Sequence, residues 1–400
     1  VSLERALATG RLLPAAFAFI AGALTLSAAP TGTFCIAAII AASRPLLVLI
    51  VRRAKRDGWL ATIAPLGAAG LAVLHLIFLD QPLKGTLQSS SLLGQVGPKG
   101  EWYEEYWRYQ WLLQPDPDGS LARRFAMLAL LLALVVCGII LFRKARIPGV
   151  ALGPSRRILG LAVLSIAFMA FNPTKWTHHF GAFASIGALL GALVTLAILP
   201  AATRSLRNRA LFFAAVFFVL ALSFTAPNGW WYISIYGIPW GGMAPTIAGI
   251  ELYKVFFGLM FLTLAAALFL HYREAFIAPS DPSPEPQGKF RSLVREVSQA
   301  PLGLAAGFVV LVIVASMFYA VRVQSPGYSV AQQNWRGIQG EECGIADAVL
   351  AEPDPNQGML TPVVDKITAK RLAGPVSRAV TAKVSGGELG GLMAFMSSKV

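Results

Sequence analysis

The sequence predicts an all-α polytopic membrane protein with about nine transmembrane helices, and three observations predict it. Of its 400 residues, 56% are hydrophobic and 14% charged, against roughly 25% charged in soluble domains. The apolar residues gather into runs long enough to cross a bilayer, which takes about 20 residues of helix. The net charge of +14 is spread as short basic clusters in alternate connections between those runs. A nucleic-acid site needs its cations on one face or interleaved with aromatics. Here they follow the positive-inside rule instead, so nucleic acid is excluded as a partner.

Taken in order, the runs are Leu12–Ala28, Thr33–Val51, Trp59–Leu79, Phe125–Phe142, Ile158–Phe171, Phe180–Pro200, Ala210–Phe224, Val255–Tyr272 and Pro301–Tyr319. Pro30 breaks the first from the second, and Arg44-Pro45 marks the inner end of the second, where an Arg can snorkel. Basic clusters follow the second run (Arg52, Arg53, Lys55, Arg56), separate the fourth from the fifth (Arg143, Lys144, Arg146, Arg156, Arg157), and precede the seventh (Arg204, Arg207, Arg209) and ninth (Arg273, Lys289, Arg291, Arg295). These loops are placed in the cytoplasm. With Arg5 and Arg11 also inside, an odd number of spans carries the tail from Ala320 to the outer face. Residues 1–320 then form the helix bundle, 80–124 an outer loop, and 321–400 the start of an outer domain.

The outer segments have a different character. Glu101–Trp111 carries three Trp and three Tyr, Gln114–Gly119 is a Pro-Asp-Gly turn, and Asn228–Trp240 holds Trp230 and Trp231. Of nine tryptophans, only Trp59 falls inside. An ordinary aromatic belt populates both interfaces, so the asymmetry points to an outward-facing aromatic cavity. Aromatic faces pack on the C–H faces of sugars, while Arg, Lys and His bind hydroxyls or phosphate, which suits a lipid-phosphate sugar donor arriving from the bilayer.

Asn172–Gly181, Asn-Pro-Thr-Lys-Trp-Thr-His-His-Phe-Gly, is the centre of this surface. It joins two apolar runs, and Pro173 ends the first of them. A Lys, a Trp and two His are costly at a membrane boundary unless they face water, protein or a polar ligand. The plain alternative is a polar loop with an interfacial Trp. Likewise Glu104, Glu105 and Arg108 fit a solvated amphipathic helix, Arg123 and Arg124 fit headgroup anchors, Glu251 and Lys254 an ion pair at a helix mouth, and His75 a packed neutral imidazole.

Four motifs in order along the chain, Gln114–Arg124, Asn172–Gly181, Asn228–Trp240 and Cys343-Gly-Ile-Ala-Asp with Glu352–Asn356, resemble the Emb-type arabinosyltransferases of mycolic-acid bacteria. The resemblance runs to about residue 360 and leaves Thr361–Val400 unassigned. It implies a GT-C membrane glycosyltransferase that inverts, moving arabinofuranose from decaprenyl-phosphoryl-arabinose to the arabinan of arabinogalactan or lipoarabinomannan. It further implies a piece of a longer protein whose catalytic carboxylate lies upstream of Val1, so no catalytic residue is expected in this chain and the piece alone is expected to be inactive. Its share is substrate binding: Lys175, Trp176, His178 and His179 for the donor, and Arg108, Trp230 and Trp231 for the acceptor.

No cofactor is needed for transfer, since Lys and His can neutralise a departing lipid monophosphate; the resemblance makes 321–400 the truncated start of an outward carbohydrate-binding domain, with a structural Ca2+ compatible in the missing part beyond this chain. Partners it suggests are a homodimer or a heterodimer with a sister Emb subunit, and an acyl carrier protein on the basic loops Arg143–Arg157 and Arg204–Arg209. Adjacent His178 and His179 do not share a helix face, and no Cys/His spacing reads as a metal site. Cys35 and Cys137 lie in helices as packing residues, and Cys343 is expected to pair beyond this chain. A transporter would show internal repeats and mid-membrane polar groups, which are not evident here. The nearest rival is another polyprenyl-phosphate-sugar enzyme such as a mannosyltransferase.

Overall fold

The structure is a computed structural model that describes residues 1–80, 82–229, 237–276, 300–325, 327 and 329–341. Its helices are α1 (Ser2–Thr9), α2 (Leu13–Ala28), α3 (Phe34–Asp57), α4 (Trp59–Asp80), α5 (Leu83–Val96), α6 (Tyr106–Leu112), α7 (Leu121–Lys144), α8 (Leu152–Met169), α9 (Ala184–Arg204), α10 (Leu206–Phe224), α11 (Leu252–Phe276), α12 (Pro301–Gln324) and α13 (Val330–Ile338). A two-stranded hairpin, β1 (Thr246–Ile247) and β2 (Ile250–Glu251), closes antiparallel over Ala248 and Gly249, both at positive φ.

Among the described residues, eight helices are long and apolar enough to cross a membrane: α3, α4 and α7 to α12, with α3 and α9 extended by the turns before them. The ninth expected span, α2, has 16 residues and is shorter than the rest. At 1.5 Å per residue it reaches about 24 Å, less than a typical hydrocarbon core. Pro14 in its first turn and Pro30 just beyond its end limit its length.

Several expectations are corrected. Pro45 does not end the second span: α3 runs through it to Asp57, with Lys55 and Arg56 in its last turn. One missing backbone donor is tolerated where neighbouring helices cover the site, and α3 packs on both α4 and α8. His75 is exposed, not packed. The connecting segment 80–124 holds two helices, α5 and α6, the second of them over Tyr106–Leu112 where helical spacing of Glu104, Glu105 and Arg108 was expected.

The core is a bundle of α7, α8, α9, α10 and α12, joined by Phe34 of α3 and filled by residues such as Leu130, Met169, Leu190, Val216 and Phe224. A small second cluster, Ala6, Ala15 and Leu66, joins α1, α2 and α4. At the basic end Arg157 of α8 grips Glu4 of α1 through Nε at 2.5 Å, and Arg53 donates twice to the Gly10 carbonyl that ends α1. Short breaks suffice between spans: Ser205 alone separates α9 from α10, its Oγ accepting from Asn208 N–H at 3.3 Å.

The chain divides between Trp335 and Arg336 into two units. In the second, Arg336–Glu341 is described, and there the Arg336 guanidinium pairs with the Glu341 carboxylate. Cys343 and the Glu352–Asn356 motif lie outside the described residues.

Candidate functional site

Helix α8 ends at Met169, and the chain descends through Ala170–Trp176 into a 3-10 turn, Thr177–Phe183, that leads into α9. The expected break before Pro173 is present, and Asn172 is buried there, its Nδ2 donating to Met169 Sδ at 3.3 Å. Across from it the segment after α5 pairs like a strand edge: Lys175 N–H donates to the Pro98 carbonyl at 2.9 Å, and Lys99 bridges Thr174. Gly100 must stay small, because a Cβ there would stand 2.9 Å from Lys175 Cγ.

Beneath this turn sits a buried charge cluster. Arg108 of α6 has no exposed side-chain surface, so the solvated-helix expectation is overturned for it. Its guanidinium donates to both Glu105 oxygens (2.7 and 3.2 Å), to the Thr174 carbonyl (3.1 Å) and to the Trp176 carbonyl. It also contacts His179 Nδ1 at 2.9 Å. An arginine only donates, so Nδ1 accepts and His179 is held neutral with its proton on Nε2. Lys175 is equally buried: its ammonium donates to the Ala170 (2.7 Å) and Asn172 (3.2 Å) carbonyls at the end of α8 and meets Glu105 at 3.3 Å. Burial lowers the Lys175 pKa, against the pull of Glu105 in the other direction. Glu105 thus balances two buried cations, while Glu104 turns back to accept from Glu101 N–H at 2.7 Å.

A second network holds the far side. The buried Thr177 hydroxyl reaches the Asp118 carbonyl (2.7 Å) and carboxylate (2.9 Å), and Arg123 of α7 donates to Asp118 Oδ1 (2.9 Å) and Thr177 Oγ1 (3.0 Å). Arg124 is no headgroup anchor. It is buried and donates to the carbonyls of Leu112, Gln114 and Leu222 and to Thr225 Oγ1, binding the outer segment to the end of α10.

Fixed from both sides, the turn presents Trp176 and His178. Their rings stack 5.9 Å apart at 27°, and His178 meets His179 edge-on at 4.6 Å. His178 is exposed, whereas Trp176 and His179 are half-buried. From His178 and Arg123 a cavity of about 970 Å³ opens along α7 and α9 and reaches Leu302 of α12. Its walls are apolar, with Phe125, Leu130, Phe180 and Phe183 beside small residues such as Ala126 and Gly187. An imidazole, an indole and a guanidinium at the mouth of an apolar groove suit an amphiphile with an anionic head.

The expected site residues therefore separate by position. His178 is exposed and lines the groove, Trp176 stacks on it half-buried, and Lys175, Arg108 and His179 form the support behind them. Trp230 and Trp231 lie outside the described residues; the base of their loop is pinned by Asn228, which donates to the Trp240 carbonyl (2.9 Å) and to Ser316 Oγ (2.9 Å). Sequence reasoning missed Glu105 as the shared counter-ion, although its spacing to Arg108 was visible, and missed Arg123 at the groove mouth, which Asp118 five residues earlier could have signalled. The Glu251–Lys254 pair is present at 2.5 Å. Among the described residues no group of three or more His, Cys, Asp or Glu could hold a metal ion.

Comparison with known proteins follows the same lines. Residues 1–273 match the family described as mycobacterial cell wall arabinan synthesis protein, and residues 314–389 match the EmbC C-terminal domain. The second match continues well past residue 360, where the motifs give out. The chain is 45% identical over 381 residues to the probable arabinosyltransferase C of Mycobacterium tuberculosis, covering 95% of this chain and 34% of that protein. It is 41% identical over 363 residues to the probable arabinosyltransferase B of the same species, covering 91% and 32%. The cryo-EM structure of arabinosyltransferase EmbB from Mycobacterium smegmatis superposes with a TM-score of 0.69 at 36% identity, over 91% of this chain and 31% of that one. The chain spans about a third of the length of the relatives it matches. With its apolar helices and this likeness it is a multi-pass membrane protein, and it belongs to the mycobacterial cell wall arabinan synthesis protein family.

Proposed function

We propose that this chain forms the donor-binding part of a membrane arabinosyltransferase that uses decaprenyl-phosphoryl-arabinose and extends cell-wall arabinan on the outer face of the plasma membrane. The observation that carries the reading is the apolar groove that ends at Arg123 and His178 beside the stacked Trp176. In this reading the isoprenoid tail lies along α7 and α9, the phosphate meets Arg123 and His178, and the sugar packs on Trp176.

Transfer with inversion follows from those places. An acceptor hydroxyl oxygen bonds to the anomeric carbon while the bond from that carbon to the phosphate oxygen breaks, and the electron pair leaves with decaprenyl phosphate. The hydroxyl proton passes to a carboxylate contributed by a part of the protein outside this chain. Arg123 and His178 stabilise the negative charge that grows on the departing phosphate. Arg108, Lys175 and Glu105 act as positioning residues, because they hold the backbone of the turn and the His179 ring.

The test is donor binding by the full-length protein in nanodiscs, with wild type compared to Arg123→Gln and His178→Ala. Weaker binding in both at unchanged thermal stability supports the reading, and unchanged binding in both removes it. A mannosyl donor bound as tightly as the arabinosyl one would favour the rival sugar class.

A further inference from the structure

At the opposite end of the same helix α7 the chain leaves the bundle through a strained turn. Ala145 takes a left-handed conformation (φ 57°), which glycine ordinarily supplies at a helix end and which costs an L side chain about 1–2 kcal/mol. The turn that follows encloses a hollow of about 560 Å³ lined by Lys144, Arg146, Ile147, Pro148, Gly149 and Val150. Ile147 is fully buried in the bundle core and fixes the turn. Lys144 and Arg146 are exposed and make no ion pair with any described residue. No Asp or Glu occurs anywhere between Gly119 and Ile250, so the flanking chain offers them no acid.

The surroundings are apolar. Phe142, one turn earlier on α7, is 92% exposed, and Leu152 at the start of α8 is exposed as well. Both lie at the ends of the candidate spans α7 and α8, so with those helices in a bilayer the hollow falls at the level of the lipid headgroups.

We propose that this hollow is a headgroup site for an anionic phospholipid, with Lys144 and Arg146 on its phosphate and Pro148 and Val150 against its glycerol and first acyl carbons. A diffuse positive-inside charge needs no hollow and no strained residue. An acidic soluble protein would have to cover Phe142 and Leu152, which a lipid covers with its own chains. The cytoplasmic leaflet is the source on the proposed topology, but the site itself rests on the turn alone.

The experiment is native mass spectrometry of the full-length protein released from nanodiscs of equal phosphatidylglycerol and phosphatidylcholine, with hydrogen exchange over residues 144–150 in discs of each lipid alone. Wild type is expected to retain phosphatidylglycerol selectively and to show slower exchange with it. Lys144→Ala/Arg146→Ala should weaken retention about tenfold or more, at roughly 1 kcal/mol per cation near a surface, while Arg156→Ala changes it less than about twofold. Equal loss in Arg156→Ala would mean diffuse attraction and overturn the site. So would unchanged retention in the double variant, protection by inorganic phosphate alone, or protection in phosphatidylcholine discs by an added acyl carrier protein instead of by lipid. Retention is read without sugar transfer, so it fails or stands independently of the donor site.

Discussion

Replacing Arg108 by Met should loosen the Thr174–His179 turn more than any other single change in it. The side chain is fully buried and serves Glu105, the Thr174 and Trp176 carbonyls, and His179 Nδ1. Met fills most of its volume but leaves Glu105 with Lys175 alone, takes the guanidinium from the Thr174 carbonyl and the His179 ring nitrogen, and leaves the Trp176 carbonyl only the His179 N–H at 3.4 Å. Removing one partner of a buried ion pair costs about 3–5 kcal/mol, of which a large share is the penalty on the abandoned charge. The His179 ring, freed of Arg108, loses its fixed tautomer and stops supporting His178, which it meets at 4.6 Å. Arg108→Lys retains the charge but not the fork, and should cost about 1–3 kcal/mol. Adding Glu105→Gln to Arg108→Met should deepen the loss, because the buried Lys175 ammonium then has no counter-ion. The assay is thermal unfolding in detergent together with hydrogen exchange at residues 174–179. Unchanged exchange there in Arg108→Met, or a double variant no less stable than Arg108→Met alone, would refute the support role of this cluster.

Three further outcomes follow from the same geometry. Arg124→Met should destabilise by about 3 kcal/mol or more in thermal unfolding, because the buried guanidinium serves four acceptors, the Leu112 carbonyl among them in a fully buried bond; a loss under about 1 kcal/mol would return Arg124 to a headgroup role. Gly119→Ala should disrupt the Asp116–Gly119 turn at a cost of about 1–3 kcal/mol, since its Cβ would lie 1.9 Å from the Gln114 carbonyl oxygen and the backbone must move; exchange at Asp118 and Thr177 reads this directly. Tyr109, whose pKa is pushed up to about 12 by burial first and Glu105 second, favours its neutral form in the folded state. Its contribution is present below about pH 10 and is lost as pH rises through the folded value. Tyr109→Phe should therefore lose less stability than wild type between pH 10 and 12.

Much of this fold was legible because bilayer thickness fixes helix length and charge marks the ends. The windows around Phe125, Ile158 and Pro301 each became one helix, lengthened by a few residues; at α8 Arg157 lies inside the helix, and its partner Glu4 is 153 residues away in sequence. Pro45 misled because a local rule about a missing donor gave way to packing from α4 and α8. The site divided along similar lines. Trp176 and His178 stood out by residue type at a helix break. That Arg108 and Lys175 lie beneath them could not be read from the sequence, since a charge looks the same whether water or a buried Glu105 answers it. Arg123 was visible only as one of two adjacent arginines, and its place at the groove mouth depends on α7 meeting α9 in space.

The claim on which the account turns is that the Asn172–Gly181 turn and the groove beside it receive the donor. Its most direct test is transfer of arabinose from decaprenyl-phosphoryl-arabinose to a short arabinan by the full-length protein in membranes, with Trp176→Ala, His178→Ala and Arg123→Gln at matched expression and thermal stability. Removal of a preorganised charge-stabilising contact typically costs about 100-fold or more in rate, so transfer is expected to collapse in His178→Ala and Arg123→Gln and to fall in Trp176→Ala. Near-normal rates in all three would make the turn an interfacial loop and place the donor elsewhere.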